Sequence, residues 1–337
     1  MQAAIMEAGR IRVAELADPE PGPGEVLVRT RACGLCASDL HVLHHGEQLV
    51  QWSRHAGGPF DMDLSRPVVL GHEYCAEVVD HGPRTERRLR TGTRVTSAPV
   101  VIRDGRVGAV GLCNDLPGGF GEYMRLSEDL LLEVPDALDD ARAALTEPVS
   151  VGMYYVRAAR LRHDDVVLVV GCGAIGLAVL AALRREKVRR ILVSDFSEER
   201  RQLALANGAH SVIDPAAQAP MADGPPSVIF ECVGMPGVLD EVMRQAAHGA
   251  RIMVAGWCLQ TDHVFTPVAH TKGLIVQFGG GPAPEDFETA HRALGEGEIE
   301  VSSWLGAQIG LSEVADALEA MRDPANPIRT VVDPRQS

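Results

Sequence analysis

The sequence predicts a two-domain α/β protein in which a β-rich domain precedes a doubly wound parallel sheet. Three observations carry this. The chain has 337 residues, and single hydrophobic cores tend to split beyond roughly 250 to 300 residues. The first 140 residues hold short apolar runs separated by Gly- and Pro-rich turns. From about residue 145 apolar runs alternate with longer helical patterns, the rhythm of a parallel sheet with crossover helices.

In the first part, EVLVRTRA (25–32) and PVVLGHEYCAEVVD (67–80) read as strands, and PEPGPG (19–24) and GTRV (92–95) as turns. Helical signals are sparse there. In the second part VVLVVG, AIGLAVLAALRREK, RRILVSD and SEERRQLALANG form a β-α-β-α series, followed by strand-like SVIFECVG (227–234), ARIMVAGW (250–257) and GLIVQFGG (273–280). After Pro284 the pattern turns helical and ends on the run IRTVVD. The expected organisation is residues 1–145 as a β-rich domain, 146–285 as the sheet domain, and 286–337 returning to the first.

Hydrophobic residues make up 46% of the chain and aromatics only 4%, so the core must rest on Val, Ala, Leu and Ile. The net charge of −14 argues against a nucleic-acid or anionic-membrane partner, because both require a basic face. No uninterrupted apolar run reaches membrane-spanning length, and MQAAIMEAGR lacks the apolar stretch of a secretory signal. Seven scattered cysteines, an odd number, do not read as a disulfide framework. A cytoplasmic protein with reduced thiols is expected.

GCGAIG (171–176) matches G-x-G-x-x-G directly between an apolar strand and an apolar helix. Glycines there let the backbone approach a pyrophosphate, whose charge meets the N–H groups of the following helix. Gly171, Gly173, Ala174, Ile175 and Gly176 are therefore candidate cofactor contacts. Asp195, nineteen residues after Gly176, is suited to accept hydrogen bonds from both ribose hydroxyls and to repel a 2′-phosphate. NAD is the expected cofactor, although Arg200 and Arg201 lie near enough to receive a 2′-phosphate. Cys232, Val233 and Gly234, and Ala255, Gly256 and Trp257, end successive strands, where ligands gather at the carboxyl edge of a parallel sheet.

GLCASDLH (34–41) and GHE (71–73) place a thiol, an imidazole and carboxylates in two loops of the first domain. All three are good zinc ligands. Taken singly, Cys36 also reads as a small buried residue, His72 as a core histidine and Glu73 as a surface charge. G-x-C-x-S-D-x-H, then G-H-E, then E-P-x-x-V-G (147–152), then the nucleotide loop, in this order, resembles the zinc-dependent medium-chain dehydrogenase/reductase family of alcohol and polyol dehydrogenases. PGPGEVLV and GGFGEYM (118–124) extend the likeness to nearly the whole chain.

The resemblance implies a GroES-like catalytic domain joined to a Rossmann domain. It implies hydride transfer between a small alcohol and NAD, the alcohol being acidified by zinc. By position, Cys36, His72 and Glu73 bind the zinc, Glu147 binds transiently or through water, and Asp39 holds the other nitrogen of His72. Ser38 hydrogen-bonds the reacting oxygen and His41 passes its proton to solvent. Many relatives carry four clustered cysteines for a second zinc; here the segment from Ser97 to Gly119 holds only Cys113, so one zinc per subunit is expected. The resemblance also implies a homodimer or homotetramer, with GLIVQFGG as a candidate edge.

The segment 41–67, with His44, His45, Trp52, His55 and Phe60, is placed to shape substrate choice, with secondary alcohols, polyols and ring-bearing alcohols all open. Two other readings of the chain make different demands on these residues. A zinc-free NADPH-dependent quinone or enone reductase would lack Cys36 and the G-H-E ligands. A nucleotide-binding protein without catalysis would show a broken ligand set.

Overall fold

A computed structural model describes residues 1–103, 105–218, 225–323, 326 and 328–336. They divide into two compact units, one formed by residues 1–147 with 291–337 and the other by residues 148–290.

The first unit opens with strands β1 (Gln2–Glu7), β2 (Arg10–Glu15) and β3 (Glu25–Gly34), then helix α1 (Ala37–Ala56). Strands β4 (Val68–Val69), β5 (Glu73–His81), β6 (Arg94–Ser97), β7 (Val100–Arg103), β8 (Arg106–Ala109), β9 (Tyr123–Ser127) and β10 (Leu131–Glu133) follow, then the short helix α2 (Asp140–Ala144). Strand β3 is the organising element. Its buried Val26, Val28, Thr30 and Ala32 alternate inward, as a strand with one face on a core requires, and its end at Cys33 and Gly34 is buried on both faces. It pairs antiparallel with β5 and β9.

Helix α1 corrects the expectation that helix is sparse in this half. Its buried side of Val42, Gly46, Leu49, Val50 and Ser53 has helical spacing. A glycine and a serine stand at positions where apolar residues would have marked that face. The backbone departs from helical angles at His45 (φ −131°, ψ 24°) and the helix stops at Gly57, which takes the left-handed conformation (φ 69°).

The second unit contains most of α3 (Thr146–Ala158), then β11 (Val166–Val170), α4 (Ala174–Arg185), β12 (Arg190–Ser194), α5 (Glu198–Ala206), β13 (Ser211–Ile213), β14 (Val228–Glu231), α6 (Val238–Gln245), β15 (Arg251–Val254), α7 (Thr266–Lys272), β16 (Ile275–Phe278) and the start of α8 (Pro284–Gly295). The sheet order is β13-β12-β11-β14-β15-β16, and every pairing is parallel. The order reverses between β11 and β14, the switch point at which such sheets bind ligands. Among the described residues of this unit, strand β13 and helices α3, α6 and α7 have no counterpart in the sequence reading. Strand β16 is an edge, with Ile275 58% and Phe278 65% exposed.

The chain ends with β17 (Leu305–Ile309), α9 (Val314–Ala320) and β18 (Arg329–Val332). Strand β18 lies between β17 and β3 in the first unit's sheet, with Val331 opposite Gly34. Among the described residues no helix is long and apolar enough to cross a membrane.

Candidate metal and cofactor sites

Three adjacent strands, β5, β3 and β18, build the first site. Glu73 starts β5 directly opposite Gly34 at the end of β3. A Cβ on Gly34 would lie 2.5 Å from Glu73 Oε2, so only glycine there lets the carboxylate lie across the strand. On the far side β18 supplies Arg329, whose Nη2 donates to Glu73 Oε1 at 2.7 Å. Both side chains are almost wholly removed from solvent, at 3% and 0% exposure. Glu73 Oε2 is buried and has no hydrogen-bond partner. Arg329 was not singled out from the sequence.

Cys36 caps α1, and its backbone N–H donates to Asp39 Oδ2 at 3.0 Å. Asp39 is fully buried, with Oδ1 at 3.4 Å from His72 Nδ1. That contact is close enough for charge attraction but too poorly aligned for a hydrogen bond. The other ring nitrogen, Nε2, lies 3.2 Å from Ser38 Oγ. Burial pushes the His72 pKa down, yet the nearby Asp39 carboxylate and the Cys36 sulfur outweigh it and hold the ring well above its ordinary value. The surroundings therefore favour positive charge at this point.

The sulfur, imidazole and carboxylate ligand atoms of Cys36, His72 and Glu73 all lie within 4.8 Å of one another. Zinc bonds of about 2.0 to 2.3 Å in tetrahedral geometry separate ligands by roughly 3.5 Å, so small side-chain movements close this triangle on an ion. A soft thiolate, an imidazole and a carboxylate with an unused oxygen suit zinc. Glu147, in the first turn of α3, keeps part of its surface open. Burial raises its carboxyl pKa to about 7, against the lowering effect of His72 and with a further rise from the Glu73 charge. His41 is three residues beyond Ser38 on α1 and half-buried, a spacing that puts the two on one helix face.

The second site lies at the carboxyl ends of β11, β12, β14 and β15. Gly171 has φ +88°, and a Cβ on Gly176 would lie 2.0 Å from the Gly171 carbonyl oxygen, so the turn closes only with glycine at both places. Gly173 caps α4 and faces open space, leaving the helix N-terminus able to meet a phosphate. Asp195 braces this turn: Oδ2 accepts from the Cys172 N–H at 2.7 Å and Oδ1 from the Ser197 N–H at 2.9 Å. Each oxygen keeps a lone pair for a ribose hydroxyl.

The two arginines differ. Arg201 is committed to the Asp195 and Phe196 carbonyls, both at 2.8 Å, and to Glu198. Arg200 has a buried Nε with no partner. A buried carboxylate that the sequence reading passed over, Glu231, ties the next two turns. Its Oε1 accepts from the Val233 and Gly234 N–H groups at 2.7 and 2.9 Å, and its carbonyl accepts from Ala255 and Gly256. Gly234 (φ +69°) and Gly256 meet so closely that a Cβ on Gly256 would lie 2.1 Å from the Gly234 nitrogen. Val233 and Trp257 remain 39% and 37% exposed.

Residues 22–136 match the alcohol dehydrogenase GroES-like domain family and residues 174–296 the zinc-binding dehydrogenase family. The (R,R)-butanediol dehydrogenase of Bacillus subtilis (strain 168) is 32% identical over 272 residues, 73% of this chain and 75% of that protein. The chain belongs to the zinc-dependent alcohol dehydrogenases of the medium-chain dehydrogenase/reductase family. This dehydrogenase is also 26% identical to the L-threonine 3-dehydrogenase of Rhizobium rhizogenes (strain K84 / ATCC BAA-868), over 94% of its own length and 92% of the relative's. The crystal structure of 2R,3R-butanediol dehydrogenase from Bacillus subtilis superposes with TM-score 0.82 at 26% identity, covering 99% of both chains. The dehydrogenase is thus an oxidoreductase of the class that acts on CH–OH groups.

Proposed function

We propose that this dehydrogenase oxidises a secondary alcohol, polyol or ring-bearing alcohol to the carbonyl compound with NAD, using one zinc ion held by Cys36, His72 and Glu73. The triangle of ligand atoms beside the unpartnered Glu73 Oε2 carries the reading. A zinc ion there supplies Lewis acidity, which makes ionisation of a bound alcohol feasible near neutrality.

The chain's own groups do the rest. Asp39 fixes the orientation of His72 from the Nδ1 side, leaving Nε2 for the metal. Arg329 holds Oε1 of Glu73 and so turns Oε2 toward the metal. Formal charge supports this division: a divalent ion with Cys36 and Glu73 ionised sums to zero, and Arg329 cancels Asp39. An ionised Glu147 would make the site anionic, so Glu147 acts as an intermittent ligand or through water. Ser38 Oγ receives the alcohol proton, and His41, on the same helix face, passes it toward solvent. The turns at Val233–Gly234 and Gly256–Trp257 would hold the nicotinamide half of the cofactor, which would supply the hydride acceptor. Reaction of an alcohol panel with NAD, lost on chelation and restored by zinc, tests the proposal; activity that survives complete zinc removal would refute it.

Asp195 sets the nucleotide. With Asp195 ionised beside the turn, a 2′-phosphate meets a fixed negative charge, and Arg201 is committed elsewhere. Asp195→Ser removes that charge and leaves Arg200 to attract a phosphate. The expected result is a fall of about a hundredfold or more in the kcat/KM preference for NAD over NADP, two charge-assisted hydrogen bonds being worth about 1.5 kcal/mol or more each. An unchanged ratio would remove Asp195 from nucleotide selection.

The exposed β16 edge, with Ile275 and Phe278 outward, supports assembly, since an uncovered apolar edge strand invites pairing. We expect a homodimer or homotetramer. Light scattering that finds only a 36.1 kDa species would contradict this. Seven free cysteines, Cys36 among them, are consistent with work in a reducing compartment such as the cytoplasm.

A further inference from the structure

We propose a second small-molecule site in the nucleotide-binding unit: a cavity of about 790 Å³ that takes an organic anion with an apolar body. It lies where α3 and α4 end, beside the 161–165 turn that leads into β11 and the first turn of α8. That is the amino end of the parallel sheet, the opposite end from the glycine turn and Asp195. The cavity is separate from the cofactor site.

Its floor is apolar, with Met153, Val156 and Ala182 buried at 7%, 4% and 1% exposure and Leu161 and Val188 half-buried above them. Its rim is cationic. Arg162, Lys187 and Arg189 line it with side chains that make no ion pair or hydrogen bond to any described residue. The acids around it are mostly spoken for. Arg157 holds both oxygens of Asp286, at 2.7 and 2.6 Å, Asp165 is held by Arg251 and Ser227, and Glu186 lies 3.6 Å from Arg185. Glu285 is the acid on this rim with no such partner. Three unpaired cations against one unpaired acid make a local positive field on a chain whose net charge is −14.

Compensation of the α4 dipole accounts for Arg184 and Arg185 in its last turn. It does not account for Arg162, which reaches the rim from the other wall. Lys187 (φ +55°) is the left-handed residue that closes α4, with the Val188 N–H donating to the Leu183 carbonyl at 3.1 Å, so its backbone conformation follows from the helix end. A volume within the roughly 300 to 1,000 Å³ of small-ligand pockets, an apolar floor and a few convergent polar groups together describe a ligand site.

The test uses the full-length enzyme saturated with NADH, so that the cofactor site is filled, and anilinonaphthalene sulfonate as the probe, read by fluorescence. The wild-type protein is expected to bind the probe at one site per chain. Lys187→Glu/Arg189→Glu is expected to weaken binding about tenfold or more, because reversing two nearby charges changes the interaction by at least 1.4 kcal/mol. Its turnover should stay at the wild-type value, since neither residue belongs to the catalytic or cofactor machinery, and its melting temperature should fall only slightly, because two acids beside the C-terminal end of α4 oppose the helix dipole. Arg106→Glu, on the other unit, should bind the probe normally. Competition by AMP or by benzoate at millimolar concentration then assigns the anionic head as phosphate or carboxylate. Absence of probe binding, binding unaffected by the double charge reversal, or failure of both competitors would each overturn the proposal.

Discussion

Cys36→Ser is expected to lower kcat/KM for alcohol oxidation by about a thousandfold or more and to leave the purified protein depleted of zinc. Cys36 is the soft donor among the three, and a serine hydroxyl at the same position is a far weaker ligand for zinc. The Lewis acidity lost with the ion is worth several kcal/mol of barrier, and each 1.36 kcal/mol is a factor of ten. The fold should survive, because Cys36 contributes its backbone N–H to the Asp39 carboxylate, which serine preserves. Zinc content measured beside thermal melting separates the two effects. Normal zinc content with unchanged turnover would remove Cys36 from the site.

Arg329→Met is expected to destabilise the protein by about 3 to 5 kcal/mol, the usual consequence of leaving one member of a buried ion pair behind. Glu73 would keep its charge at 0% exposure with no partner on Oε1. The same change releases the carboxylate from its fixed orientation, so zinc affinity should fall about tenfold to a hundredfold, as for other groups that orient metal ligands. Bound zinc should recover part of the lost stability, because the ion then compensates the stranded charge. Arg329→Lys, which keeps a cation but not the guanidinium geometry, should fall between. Chelator-competition titrations and urea denaturation with and without zinc read these quantities. A variant with wild-type stability and wild-type zinc affinity would show that Arg329 does not support Glu73.

The sequence made the two loops legible because each holds its chemistry within a few residues. Cys36, Ser38 and Asp39 share the cap and first turn of α1, and His72 and Glu73 are neighbours. The glycine turn at 171–176 was legible for the same reason. Arg329 was not, because it lies 256 residues from Glu73. Only the pairing of β18 with β3 and of β3 with β5 brings them together, and a single arginine in IRTVVD carries no local mark of that. Glu231 was hidden similarly: one acid in an apolar strand does not announce that its oxygen will take the amides of Val233 and Gly234. Helix α1 escaped because Gly46 and Ser53 occupy its buried face, so the periodicity that marks a helix was diluted. Asp195 was legible by its distance from Gly176. Its second task, bracing the turn through the Cys172 and Ser197 amides, depends on how β12 ends and could not be read from spacing.

The most direct test of the central claim is the zinc content of the purified wild-type protein by plasma mass spectrometry. One catalytic ion bound through Cys36, His72 and Glu73 predicts close to one zinc per chain, removable by chelation together with the activity. Two zincs per chain would reveal a second metal site elsewhere in the protein. A protein that carries no zinc and still oxidises alcohols with NAD would contradict it outright.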